Sequence, residues 1–299
     1  MKINRFEISE FLTGKIIQNE SMSRHTTFRI GGCCDLYVEV KTVDELKNLI
    51  KYIRKKRIPY FILGAGSNLL VKDNGIKGIV IKLAGDFSKV EFDFKRKVVK
   101  AGSSCSLQGL IKKCRDNSLG GMEFLAGIPG TVGGAVVMNA GTTQGNIGSI
   151  VKSAALMDDK GKISLIDKSR LKFSYRSSNI KEKGIVLFVE LMLKKMNKSN
   201  IMKNSDEVKM YRAKTQPIGE FNAGCIFKNP AGDFAARLID DAGLKGISVG
   251  GAVVSNKHAN YINNSGNASA NDVLRLISKI RKKVKEKYNK KLELEIKVV

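Results

Sequence analysis

Residues 62–71 read ILGAGSNLLV, and the reading of this stretch decides the fold. An apolar run meets Gly64-Ala65-Gly66-Ser67-Asn68, and a second apolar run begins at Leu69. A glycine-bearing turn behind a strand is a common phosphate loop, and the first candidate is the βαβ dinucleotide turn. That turn needs a third glycine and a helix opening directly after it, because the helix N-terminus carries the pyrophosphate. Position 69 is leucine. The continuation LLVKDNGIKGIVIKL (69–83) is rich in branched residues and broken by Asn74-Gly75, a turn dipeptide. The pattern is strand, turn, strand. An anion at this loop would meet backbone amides arranged as a nest rather than a helix end. The competing reading is a plain strand-end turn, where glycine supplies free dihedral angles.

On the N-terminal side, DLYVEV (35–40) reads as a strand. Thr42-Val43-Asp44-Glu45 reads as a capping box, followed by a helix with Leu46, Leu49, Ile50 and Ile53 on one face. Beyond residue 84, VEFDF and KVVKAG flank a Lys95-Arg96-Lys97 hairpin, and a helix spans about Leu107 to Arg115, ending near Gly120-Gly121. Strands are expected at about 151–158, 162–166 and 185–193. The polar stretch KMNKSNIMKNSD (195–206) reads as a domain boundary, with a helix from about Ser205. A helix at about 233–242, strands near 250–263, a basic amphipathic helix and a last strand LELEIKVV (292–299) complete the chain.

The 299 residues suffice for two domains or three small ones, each with its own core. The start MKINRFEISEFLTGK lacks the apolar stretch of a secretory signal, and no segment is long and charge-free enough to span a bilayer. Lys+Arg 53 against Asp+Glu 28 gives +25, a surplus that suits nucleic acid, a membrane surface or anionic small substrates. The charges are spread along the chain. The densest patch, RKKVKEKYNKK (281–291), is the polar side of the helix that buries Val273, Leu276, Ile277, Ile280, Val284 and Tyr288. No aromatic-studded basic surface supports nucleic-acid binding. Cys33, Cys34, Cys105, Cys114 and Cys225 are odd in number and include no CxxC, which suits a reduced cytoplasm. His25 and His258 are the only histidines, so no metal site is expected.

Four further stretches can carry chemistry. In AGIPGTVGGAVVMNAG (126–141), Gly127, Gly130, Gly133 and Gly134 surround Pro129, and a ligand can approach such a backbone closely. Two glycine stretches in one half of the chain suggest a long phosphate-bearing ligand. In FSYRSSN (173–179), Arg176 is either a surface arginine or a guanidinium fork for a carboxylate. In NAGCIFKNP (222–230), Cys225 is either a small buried hydrophobe or an approachable thiol able to act as an acid or nucleophile. In LELEIK (292–297), alternation puts Glu293, Glu295 and Lys297 on one face.

Taken in order, TTFRIGG, ILGAGSNLLV, GMEFLAGIPGTVGGAVVMNAG, FSYRSSN, NAGCIFKNP, GLKGISVGGAVVSNKHANYINN and LELEIKVV resemble the UDP-N-acetylenolpyruvoylglucosamine reductase family, from about residue 20 to 299. The resemblance implies an α+β fold: two small FAD-binding subdomains of the flavin-oxidase, non-Rossmann type (1–84 and 85–196) and a substrate-binding α+β domain (197–299). The last strand would return to the active site. It implies FAD as cofactor, NADPH as hydride donor and UDP-N-acetylglucosamine enolpyruvate as substrate, in a cytoplasmic monomer that binds neither nucleic acid nor membrane. Gly64, Ala65, Gly66, Ser67, Asn68 and Leu69, with Gly127, Pro129, Gly130, Thr131, Gly133, Gly134 and Asn139, would hold the cofactor. Arg176 and Glu295, the latter protonated, would stabilise an enolate, and Cys225 would donate a proton. Asn229, Lys245, His258 and Lys297 would contact the nucleotide substrate. Lys297 stands where arginine is common, and Thr142-Thr143 where Ala-Tyr is frequent. Cys34 replaces a usual alanine, and LELE lacks a proline. The stretch before Cys225 is too short for a tyrosine lid, so the resemblance is to the shorter class. The alternative is another FAD-dependent sugar or alcohol oxidase of the same cofactor-binding group.

Overall fold

In the computed structural model, which describes residues 3–299, the chain divides into two compact units. The first comprises the chain through Gln18, Leu36–Gly64 and Gly78–Tyr211; the second comprises Asn19–Asp35, Ala65–Lys77 and Arg212–Val299.

In the first unit, an antiparallel five-stranded sheet runs in the order Ile163–Asp167, Val151–Met157, Ile185–Met192, Val98–Gly102, Val90–Asp93. Its centre is apolar on both faces. Ala154, Leu156, Val186 and Leu191 enter one hydrophobic cluster, while Ala155, Met157, Ile185 and Leu187 enter another. A strand covered on both sides reads as a continuous apolar run, which is why IVLFVELM shows no alternation. The register slips between Ala155 and Leu156, so a bulge sits where Leu187 is skipped in the pairing. The second of these clusters also holds Leu46, Leu49, Ile50 and Ile53 of the helix Val43–Lys56, whose Thr42–Glu45 capping box is present.

A four-stranded sheet has the order Ile16–Ser21, Cys33–Val40, Ile76–Leu83, Tyr60–Leu63, the last pair parallel. No helix opens behind Gly64–Asn68; the next element is the two-residue strand Leu69–Leu70. The dinucleotide turn is thus ruled out by the chain's own path. The second glycine stretch does run into a helix, the single turn and a half of Val132–Val137, despite two glycines inside it.

The second unit packs the helices Ala235–Asp241 and Ala270–Tyr288 and a three-stranded antiparallel sheet (Ser248–Val249, Ala252–Val254, Ile262–Asn264) around its own cluster. The end of the chain differs from the expected continuous strand. Leu294 bridges to Phe227, and Lys297–Val298 then pairs in parallel with Leu69–Leu70, so the segment changes partner midway. The polar stretch after Met196 is also helical from Lys198, with Ile201, Ser205 and Val208 buried at helical spacing. It carries no glycine or proline to stop a helix.

Candidate active site

In the first unit Gly64 meets the second glycine stretch. Gly64 ends the strand Tyr60–Leu63, and a Cβ there would stand 3.2 Å from Thr131 Oγ1. Lys82, on the neighbouring parallel strand, donates its amine to the Gly64 carbonyl, and burial holds that amine below the usual lysine range. Thr131 caps the helix behind it by accepting from Gly134 N. Val132 N and Gly133 N donate to Cys105 O and Ser103 O at 2.9 and 2.8 Å, and Leu107 N donates to Gly130 O at 3.0 Å. Residues 130–133 are therefore pinned to 103–107. Gly133 is needed for that packing, since a Cβ would lie 2.9 Å from Ser103 Cβ. Gly134 is exposed, and a Cβ there would meet only its own cap, Thr131 Oγ1, at 3.4 Å. The protein alone does not require glycine at 134. The buried hydroxyls of Ser103 and Ser104 have no hydrogen-bond partner. A cradle open at Gly134, next to unsatisfied hydroxyls, fits a polar cofactor.

Arg176 stands in the same unit on the tight hairpin Phe173–Ser174/Ser177–Ser178. Its φ of +54° is left-handed, which costs a non-glycine residue about 1–2 kcal/mol. The half-buried guanidinium donates from Nη1 to Gly141 O at 2.8 Å and lies 5.5 Å from the Tyr175 ring. Asn139, also left-handed, donates from Nδ2 to Ser174 O and accepts from Gly148 N at Oδ1. Its side chain thus ties the hairpin of Arg176 to the end of the glycine stretch. Gly127 N donates to Gln108 Oε1 at 3.0 Å, and Pro129 is exposed.

The second unit collects the remaining residues. Asn222 Oδ1 accepts from Gly224 N, and Gly224 takes φ +78° with nothing within 4 Å of a Cβ. The chain then enters Cys225, half-buried, between two segments. On one side Cys225 bridges Tyr261, and Ile226 N donates to Asn260 O. On the other, Glu295 N donates to Ile226 O at 2.8 Å and Lys228 N to Glu293 O at 2.9 Å. Asn68 Nδ2 donates to Glu295 O, and Lys297 N to Asn68 O, so the first glycine loop holds the segment that carries Glu295. Gly66, at φ +66°, allows the loop to pass His25, whose carbonyl oxygen would lie 2.0 Å from a Cβ.

The residues expected to contact the nucleotide are placed less uniformly. His258 stands edge-on to Tyr261 at 4.9 Å and accepts from Asn260 N at Nδ1. Burial, reinforced by the Lys245 charge, keeps its imidazole below the ordinary range and therefore neutral at pH 7. Lys245 pairs with Asp240 at 2.5 Å. Asn229 is exposed, and its Oδ1 accepts from Ala235 N at the start of the helix Ala235–Asp241. Lys297 is exposed. Two residues of this site carry no sequence signal. Tyr261 is bridged to Cys225, and Arg212 stands close enough to act on the Tyr261 phenol by its charge. Both pairings join distant parts of the chain. Among the described residues, no group of three or more His, Cys, Asp or Glu side chains could hold a metal ion.

Residues 34–166 match the family described as FAD binding domain, and the cradle fits that cofactor. The chain is an FAD-dependent oxidoreductase. Residues 216–299 match the UDP-N-acetylenolpyruvoylglucosamine reductase, C-terminal domain. A UDP-N-acetylenolpyruvoylglucosamine reductase of Caldanaerobacter subterraneus subsp. tengcongensis is 44% identical over 96% of this chain and 94% of its own length. One of Anoxybacillus flavithermus is 42% identical over 99% and 98%. The crystal structure of the enzyme from Thermus caldophilus superposes with a TM-score of 0.82 at 39% identity, covering 96% of this chain and 99% of that one. The chain belongs to the UDP-N-acetylenolpyruvoylglucosamine reductase family, whose hydride donor is NADPH.

Proposed function

We propose that Arg176, Glu295 and Cys225 carry the reaction of this reductase, the NADPH-dependent reduction of UDP-N-acetylglucosamine enolpyruvate to UDP-N-acetylmuramate in peptidoglycan precursor synthesis. FAD, when bound, supplies the two-electron chemistry between NADPH and the substrate. Gly64–Leu69 and Gly127–Gly134, with Asn139, are the residues that would hold it. The open face at Gly134 supports that reading.

Reducing a double bond conjugated with a carboxylate builds negative charge on the carboxylate oxygens. Arg176 meets that charge with a guanidinium held by Gly141 O, and Glu295 meets it as a protonated hydrogen-bond donor. Cys225 gives its S–H proton to the neighbouring carbon. Asn229, Lys245, His258 and Lys297 serve the nucleotide part of the substrate. The observation that carries this reading is that Cys225 and Glu295 lie on adjoining, hydrogen-bonded segments of the second unit.

A three-part organisation (1–84, 85–196, 197–299) belongs to the proposal. It is supported by three separate hydrophobic clusters, two in the first unit and one in the second. So does a monomeric enzyme in the cytoplasm, acting on small molecules. None of the five cysteines forms a disulfide, as a reducing compartment would have them. No helix among the described residues is long and apolar enough to cross a membrane.

The test is anaerobic visible spectroscopy of the two half-reactions. Cys225→Ala should bleach with NADPH like the wild type but regain its flavin bands slowly with the enolpyruvyl substrate, and Cys225→Ser should retain more of that second rate. Equal slowing of both halves by Cys225→Ala would remove the proton-donor role.

A further inference from the structure

Cys225 is the only proton donor in the proposed chemistry, yet nothing in the reaction so far explains how its sulfur is held or how the thiolate left behind is tolerated. The chain offers a specific answer at Tyr261. Cys225 and Tyr261 form an isolated antiparallel bridge, which sets their side chains side by side on one face. The pairing is locked next door: Ile226 N donates to Asn260 O at 2.9 Å, and the buried Asn260 amide takes both Phe227 N and Phe227 O, at 2.9 and 2.8 Å. Tyr261 is 6% exposed, so its phenol has little water to bond, and the bridge sets it beside the Cys225 side chain.

We infer that Tyr261 is a positioning residue for the proton donor: its phenol O–H holds Cys225 Sγ in place and stabilises the thiolate formed when the proton leaves. This rests on the reading of Cys225 as the donor. In the step, the S–H bond breaks, a C–H bond forms on the substrate carbon, and sulfur keeps the electron pair. The phenol keeps its own proton throughout, and water returns a proton to sulfur after product leaves. The hydrogen bond strengthens as sulfur becomes an anion, because bonds to charged acceptors are the stronger ones.

The surroundings agree with a donor that does not ionise. Burial first, and then the neighbouring Cys225 charge, push the phenol well above the ordinary tyrosine range. The other groups facing Tyr261 are Arg212, Glu295 and the neutral ring of His258. Arg212 lowers the phenol's proton affinity by its charge, and Glu295 raises it only when ionised, both less than burial does. Neither replaces a hydroxyl proton aimed at sulfur.

The experiment uses Tyr261→Phe in the FAD-loaded full chain, with iodoacetamide alkylation at Cys225 followed against pH by peptide mass mapping. Exposed Cys33 is the internal reference. Rates are scaled to each variant's alkaline plateau, which separates ionisation from access. At neutral pH the scaled rate at Cys225 should fall about tenfold, as expected for losing a hydrogen bond to a charged group, while Cys33 is unchanged. Reoxidation by the enolpyruvyl substrate should slow with it, and reduction by NADPH should not. An unchanged alkylation profile overturns the inference. Uniform 3-fluorotyrosine labelling, which makes the phenol a stronger donor without altering packing, should move the profile the other way, and its failure to do so also overturns the inference. If Cys225→Ala reoxidises like the wild type, the donor reading itself fails. If Cys225→Ala is slow while Tyr261→Phe is normal, only the role of Tyr261 fails.

Discussion

Replacing Asn260 with alanine should unlock the segment that carries Cys225. Asn260 is 3% exposed, and its side chain satisfies both backbone polar groups of Phe227, which is 1% exposed. Alanine leaves a buried N–H and a buried C=O without those partners. Each such loss costs about 1–3 kcal/mol, so the variant should lose about 2–6 kcal/mol. Small domains have only about 5–15 kcal/mol in total, so a loss of this size should lower the urea midpoint clearly. Asn260→Asp is a sharper test. It keeps an acceptor for Phe227 N but turns the donor that faces Phe227 O into a second acceptor, so it should be at least as damaging. The assay is equilibrium urea unfolding by circular dichroism, with alkylation of Cys225 in the native state as a local probe. An alanine variant that loses less than about 1 kcal/mol, with an unchanged rate at Cys225, would refute the idea that this amide positions the segment.

Four further outcomes follow from the geometry. Arg176→Lys should keep its charge but lose the planar fork, slowing reoxidation by the enolpyruvyl substrate about tenfold or more; Arg176→Gly should be as stable as the wild type or about 1 kcal/mol more so, since its φ is +54°. Stopped-flow spectra and thermal melts check the pair, and an unimpaired lysine variant would remove the need for bidentate contact. Gly134→Val should leave the melting of the flavin-free chain nearly unchanged but weaken FAD retention, whereas Gly133→Ala should destabilise the chain itself through the contact at Ser103. Equal flavin content in Gly134→Val and wild type would move the cofactor away from that face.

The pH dependence centres on Glu45. Burial alone would raise its carboxyl, but hydrogen bonds from Thr13, Lys41 and Thr42 outweigh burial and hold it below the usual range. A carboxyl depressed in the folded state contributes stability above its unfolded value, and that contribution disappears as pH falls through the folded value. Glu45→Gln should therefore cost stability at pH 7 and progressively less below about pH 4. A constant difference in urea midpoint from pH 7 to pH 3 would contradict this.

How much was legible in the sequence depended on the range of the interactions. The Thr42–Glu45 box is a local hydrogen-bond exchange, and it stands where the residues put it. The strand–turn–strand path after Gly64 follows from branched residues and Asn74-Gly75, and it excludes the dinucleotide turn without reference to the rest of the chain. In the polar stretch after Met196 the helix begins at Lys198 rather than near Ser205, because a few apolar contacts at Ile201 and Val208 suffice to dock it. The last segment also departs from expectation. Its alternation is genuine, but a strand needs one continuous partner, and this one takes Phe227 first and Leu69 afterwards.

By itself the sequence determined the glycine stretches, the residue types able to stabilise and protonate an enolate, and their order along a chain of this family. Those are properties of single residues and short spacings. Only the tertiary structure decided that Asn68 holds the strand of Glu295, that Asn139 braces the hairpin of Arg176, and that Tyr261 meets Cys225. Each is a hydrogen bond between segments remote in the chain. Its partner is chosen by which backbone groups the packed cores bring together and leave unpaired, and no periodicity in the sequence records that choice.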